Sequence, residues 1–180
     1  VSAVNFLSEF LEVEVRQKGH AHSITFERGV TTKPLTVREK TDRTGTRVTF
    51  KPDPEIFSVT EFDRQTLRTR IRELAFLNAG LNITFIDERE GAEDTFQFDD
   101  GIVAFVRHLN DNKSVIHEEI IAVAGEKDDV AVDVAMQYST AYTDVTYTFA
   151  NTINTREGGT HLSGFKTALT RCLNNYGLKS

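Results

Sequence analysis

The hydrophobic period of this chain changes repeatedly along its length, and this limits the fold more than any other feature. Val1, Val4, Leu7, Phe10 and Leu11 are spaced for an amphipathic helix over residues 1–11. Val13 and Val15 then alternate with Glu12, Glu14 and Arg16, as a half-buried strand does. A chain that switches between these two periods folds as mixed α and β, because each period presents one apolar face only in its own kind of element.

The alternation resumes after Lys18-Gly19, a turn pair, with Ile24 and Phe26 on one face of a second strand over residues 20–28. Turn residues Gly29, Pro34, Asp42 and Gly45 surround a short strand at 35–38, and Arg47-Val48-Thr49-Phe50 forms another strand that Pro52 and Pro54 end. A helix follows. Thr60 and Asp63 resemble a capping box, Leu67, Ile71, Leu74 and Leu77 keep helical spacing, and Gly80 sits where a helix stops. A hairpin over 82–88 and 95–98 turns at Glu90-Gly91. After Asp99-Asp100-Gly101 the order restarts, with a helix over 102–109, strands at 120–125, 130–139 and 143–151 turning at Asp128-Asp129, and a last helix over about 160–176. Its stripe of Leu162, Phe165, Leu169, Cys172, Leu173 and Tyr176 is expected to face inward. The expected class is α+β: two tandem two-layer units, 1–98 and 99–180.

Composition narrows the setting. Apolar residues make up 39% and charged residues 27% of 180, an ordinary globular balance. The net charge of −6 argues against a surface devoted to nucleic acid, which needs clustered Lys and Arg. Cys172 is the only cysteine, which favours a reducing, cytoplasmic setting. No apolar run reaches the roughly 20 residues of a membrane span, and neither a signal peptide nor a membrane partner is expected. The chain starts without Met inside an apolar periodic segment, which predicts a processed or excised piece.

Four stretches carry candidate chemistry. Thr44-Gly45-Thr46 opens a strand, where its hydroxyls serve either to cap a turn or to bond a ligand. Arg156-Glu157-Gly158-Gly159-Thr160-His161 precedes a helix, and its free N–H groups suit either an anion or a tight structural turn. His20 and His22 share a strand face but are too few for a metal cage, and His108 and His117 have no identifiable partner. Arg64, Arg68, Arg70 and Arg72 form either the solvated face of a helix or a weak DNA-facing strip. No nucleophile–base pair, phosphate-cradling loop or metal cage is present, so no catalytic residue is assigned.

Ordered blocks nevertheless resemble one family. Val1-Ser2 with Val4-Asn5 and Leu7-Ser8 is similar to the helix after the glycine-rich nucleotide loop of gyrase-type ATPases. Thr44-Gly45-Thr46, Val48, Phe50 and Pro52 resemble the family's adenine-side strand, and Arg72-Glu73-Leu74-Ala75-Phe76-Leu77-Asn78 its next helix. Gly101-Ile102 with Phe105-Val106 resembles the opening of its second domain. Asn151, Ile153, Thr155 and Glu157-Gly158-Gly159-Thr160-His161 with Gly164-Phe165 form the most specific block. The family is that of the bacterial DNA gyrase B chains, with the topoisomerase IV B chains close beside it.

The resemblance implies that residues 1–98 are the C-terminal part of a Bergerat-type (GHKL) ATP-binding domain. Residues 99–180 would be the N-terminal part of a transducer domain similar to ribosomal protein S5 domain 2. It implies ATP and Mg2+ as cofactors of the full-length protein, coupled to DNA strand passage and negative supercoiling. The implied partners are DNA, the gyrase A chain (GyrA) and a second copy of the gyrase B chain. Thr46 would bond at the adenine end, Val48 and Val1 would line the adenine pocket, and Ser2 would lie beside the phosphate loop. The family's general-base Glu, Mg2+-binding Asn, adenine-reading Asp and glycine-rich lid would fall before Val1, and its γ-phosphate lysine after Ser180. An isolated chain of this extent is then expected to be catalytically silent and to bind no cofactor tightly. The alternatives are a topoisomerase IV fragment or an S5-like nucleic-acid-binding module. One departure stands out: where relatives often carry an Arg used by coumarin-type inhibitors, this chain has Gln17 with Arg16 beside it.

Overall fold

The computed structural model describes residues 2–179, which form two compact units meeting in sequence at Asp63 and Arg64. The fold is α+β, as the changes of period require.

The first unit comprises α1 (Ser2–Phe6), β1 (Ser8–Gln17), β2 (His20–Glu27), β3 (Val30–Lys40) and β4 (Gly45–Pro52). The strands form one antiparallel sheet in the order β3-β2-β1-β4. Its two hairpins turn at Lys18-Gly19 and Arg28-Gly29, with φ of 51° and 79°, and 49° and 83°. Positive φ at both positions makes the two-residue turn whose twist matches that of the strands it joins. Leu11 on β1 lies between Phe26 of β2 and Phe50 of β4, and is 1% exposed.

The helical spacing read over 1–11 holds only to Phe6. An irregularity in the β1–β4 register between Ser8 and Phe10 shifts the strand's phase, so Phe10 and Leu11 imitate a helical period within an extended strand. The third strand runs far beyond the expected 35–38. Pro34 is tolerated inside it because β3 is an edge strand, where a missing N–H costs no ladder bond.

The second unit holds α2 (Arg64–Leu77), β5 (Ile83–Asp87), β6 (Ala92–Phe96), α3 (Ile102–Asn110), β7 (Ile121–Lys127), β8 (Val130–Met136), β9 (Phe149–Ala150), β10 (Ile153–Asn154) and α4 (Thr160–Gly177). Its best-buried centre is aromatic. Phe76 of α2 is 2% exposed and stacks on Phe98 and on Phe105 of α3, with ring centroids 3.7 and 5.1 Å away. Stacked rings of this size dominate core energetics. This cluster spans the sequence junction at 98/99, while compactness divides the chain at 63/64.

Gly101 opens α3 with φ of 55° and is buried. A Cβ there would lie 3.3 Å from that of Ala79, so the position suits glycine on both counts. Asp128 and Asp129 turn β7 into β8 with φ of 52° and 60°, as the sequence predicts.

Three expectations change here. The helix expected after Thr60 starts at Arg64. Of the strand expected at 143–151 only Phe149–Ala150 forms, paired with Ile153–Asn154. Val145 and Tyr147 alternate correctly, but a strand also needs a neighbouring strand for its backbone groups, and among the described residues none pairs with that stretch. The stripe of α4 is not an inner face among the described residues: no α4 residue is buried, and Leu173 and Tyr176 are 56% and 76% exposed.

Candidate functional site

Thr46 and Val48 stand two residues apart on β4, hence on one face of the sheet. They pair with Val15 and Val13 of β1, which pair in turn with His22 and Ile24 of β2. Opposed residues in an antiparallel ladder point the same way, so this face is an apolar wall carrying the Thr46 hydroxyl at one end. Phe50 extends the wall and meets Phe62 edge-on at 6.2 Å. Val48 and Phe50 remain 44% and 42% exposed, so the wall is open to a ligand or to further chain. Gly45 enters β4 with φ of 141°, a backbone state that glycine adopts readily and other residues rarely do.

Ser2 is exposed at the start of α1, a helix that packs mainly on β1 and β2. The structure thus brings Thr46 and Val48 together and places Ser2 on another element of the same unit. Val1 lies outside the described residues. Arg16 reaches Glu14 at 2.5 Å, and both lie on the face opposite Thr46 and Val48, whereas Gln17 shares the face of Val15.

Sequence reasoning missed the strongest polar feature of this unit. Asp53, just past β4, is 1% exposed. The Arg28 guanidinium donates to its carboxylate at 2.6 and 3.3 Å, and the Glu55 N–H donates at 2.9 Å. The Glu55 N–H bond chiefly holds the Asp53 carboxyl below the usual range; burial opposes this and Arg28 assists it. Arg28 is raised in turn by its bonds to Asp53 and Glu55. Only the flanking Pro52 and Pro54, read as strand-enders, marked the place.

In the second unit Arg64, Arg68 and Arg70 of the arginine strip are engaged in ion pairs. Arg64 and Arg68 both donate to Asp94, at 2.8 and 2.9 Å, and Arg70 pairs with Glu73. Asp87 is 6% exposed and accepts two guanidinium bonds and an N–H bond from Arg89. Those side-chain bonds chiefly lower its pKa to about 2. Both histidines that lacked sequence partners have them: His108 meets Asp111 at 3.2 Å, and His117 accepts the Tyr138 N–H at 3.0 Å.

The glycine turn before α4 is tied internally. The Gly158 N–H donates to the Thr155 carbonyl, Thr155 Oγ1 lies 3.1 Å from His161 Nε2, and Gly159 caps α4 without a side-chain bond. Thr160 is the first helical residue rather than the cap. A left-handed Gly158, φ 76°, lets the chain close on Leu162. Among the described residues no three His, Cys, Asp or Glu side chains converge as a metal cage would need.

Comparison with known proteins places similar sequences along nearly the whole chain. Residues 101–180 match the DNA gyrase B family model. Over 99% of the chain, identity is 51% to the DNA gyrase B protein of Halalkalibacterium halodurans and 47% to that of Thermotoga maritima, covering 28% and 29% of those proteins. The chain therefore spans less than a third of the length of these two relatives. Among solved structures, the 43K ATPase domain of Thermus thermophilus gyrase B, in complex with an aminocoumarin, matches 97% of the chain and 48% of that domain. The TM-score is 0.86 at 43% identity. The gyrase B protein of Myxococcus xanthus matches 94% of the chain and 50% of its own, with TM-score 0.86 at 27% identity. Over nearly its whole length, then, the chain is similar to DNA gyrase B proteins.

Proposed function

We propose that the chain is part of the ATPase and transducer region of a gyrase B protein, coupling ATP binding to DNA strand passage. Residues 1–98 then belong to the ATP-binding domain and 99–180 to the transducer domain, a division supported by the family match beginning at residue 101. The observation that carries the reading is the β4 wall, where a hydroxyl at Thr46 stands beside exposed Val48. An adenine base needs this combination: a polar group for its edge and an apolar surface for its face. Val1 and Ser2 complete the reading as a pocket-lining residue and a neighbour of the phosphate loop.

The described residues fit ATP at one wall only. They supply no cage for Mg2+, so no step is assigned to the metal here. Phosphoryl transfer depends on aligning the attacking water and the γ-phosphate, and one adenine-side wall cannot do that. The chain's role is to hold and sense the nucleotide rather than to hydrolyse it. DNA, the gyrase A chain and a second gyrase B chain are the partners this reading assigns to the full-length protein, in a cytoplasmic setting. No described helix is long and apolar enough to cross a membrane. A DNA-binding module without nucleotide is disfavoured by the net charge of −6 and by the ion pairs that occupy Arg64, Arg68 and Arg70.

The test is nucleotide affinity in the full-length protein. Thr46→Val keeps the shape and deletes the hydroxyl, so ATP binding is expected to weaken about fivefold to tenfold, the worth of one hydrogen bond. Unchanged affinity in a folded variant would remove β4 from the site.

A further inference from the structure

We infer that Asp53 is a positioning residue for the nucleotide wall: its buried side chain and backbone lock the exit of β4 to the α1–β1 junction through the β2–β3 turn. The inference rests on the nucleotide reading of Thr46, Val48 and Ser2.

Three segments meet at this residue. The Asp53 N–H donates to the Leu7 carbonyl at 3.1 Å, joining the exit of β4 to the end of α1. The Arg28 side chain reaches the Asp53 carboxylate from the β2–β3 turn, while the Arg28 N–H donates to the Ser8 carbonyl at 3.2 Å. Ser8 is buried, and its hydroxyl donates to the Val4 carbonyl at 2.6 Å, one turn back along α1 toward Ser2. The turn itself presses on α1, since a Cβ at Gly29 would lie 2.3 Å from Phe6 Cδ1. Arg28 also adopts φ of 49°, an uncommon state for a side-chain-bearing residue, and that backbone carries the guanidinium bound to Asp53 and Glu55.

The consequence is geometric. Of the candidate nucleotide contacts, Ser2 stands on α1 and Thr46 and Val48 on β4, and α1 packs mainly on β1 and β2. The Asp53 cluster bonds the exit of β4 directly to the α1–β1 junction. A carboxylate is suited to this because it accepts from a guanidinium and a backbone N–H at once, each bond charge-assisted. Displacing a binding group by even an ångström costs much of its contribution.

The experiment compares KM and kcat for ATP in the full-length protein carrying Asp53→Asn, Asp53→Glu, Arg28→Lys or Thr46→Val, each corrected for folded fraction by thermal melting. Asp53→Asn is expected to raise KM about fivefold with kcat within about twofold, and Asp53→Glu to recover part of it, the pattern of lost ground-state positioning. If Asp53→Asn does not fold, Arg28→Lys reads the same contact and is expected to raise KM about twofold to fivefold. A KM change at Thr46→Val with none at Asp53 or Arg28 overturns this inference alone. No change at Thr46→Val overturns the nucleotide reading, and the inference with it. Loss of activity that merely tracks the folded fraction in the Asp53 and Arg28 variants would reduce the cluster to a structural weld.

Discussion

The β1–β4 sheet and the β7–β8 ribbon use the same alternation of apolar and polar residues and the same two-residue turns with positive φ. On the first, Leu11 and Ala21 are each 1% exposed. On the ribbon, Ile121, Val123, Val130 and Val132 share one face by register, and the last three are 54–60% exposed. The difference lies in what surrounds them. Leu11 has a strand on both sides and α1 packed on its own strand, whereas most of the ribbon has one neighbour per strand, with α3 touching β8. Alternation thus selects a strand, while burial requires a further layer.

The largest expected effect tests the buried side of this contrast. Leu11→Ala should destabilise the first unit by about 2–5 kcal/mol, the cost of lost burial plus the cavity left behind. Urea unfolding followed by circular dichroism measures it. A cost under about 1 kcal/mol would mean the sheet relaxes around the site and is no better packed than the ribbon.

A middle-sized effect separates two hairpins by acid. Asp87 ends β5 almost fully buried against Arg89, while the ribbon's turn aspartates, Asp128 and Asp129, are exposed. Its folded pKa of about 2 lies below the ordinary 3.8. The stabilisation is therefore fully present above about pH 4 and is lost as pH falls toward 2. Asp87→Asn should flatten the acid limb of a melting-temperature profile in that window, and Asp128→Asn should leave it unchanged. Equal profiles for the two variants would show that burial at Asp87 contributes nothing to the pH response.

Much of this was legible from the sequence, for reasons that are local. Lys18-Gly19 and Asp128-Asp129 announce their turns because few residue pairs tolerate positive φ twice. The α2 and α4 periods marked helices to within a few residues, since a long repeat outweighs individual propensities. What failed was non-local. The irregularity between Ser8 and Phe10 disguised a strand as a helix, and the strand expected at 143–151 lacked a neighbour that no sequence pattern could supply. Val48 became a candidate only through family resemblance, while the Thr46 hydroxyl suited a turn cap as well as a ligand until the resemblance favoured the ligand. Asp53 stayed hidden because its partner Arg28 is 25 residues away and a single sequence does not record that pairing.

The smallest effect is the most discriminating for the ribbon. Val132 is 54% exposed, so Val132→Ala should shift stability by no more than about 0.5 kcal/mol, as surface substitutions do. The same substitution in the full-length protein tests whether that face stays open there. A cost of about 1 kcal/mol or more in the longer protein, against none in this chain, would mean that additional polypeptide covers the valine face and gives the ribbon its missing layer. Equal and negligible costs in both would leave the ribbon as an exposed two-stranded arm, and its contrast with the β1–β4 sheet would then be a property of the fold itself.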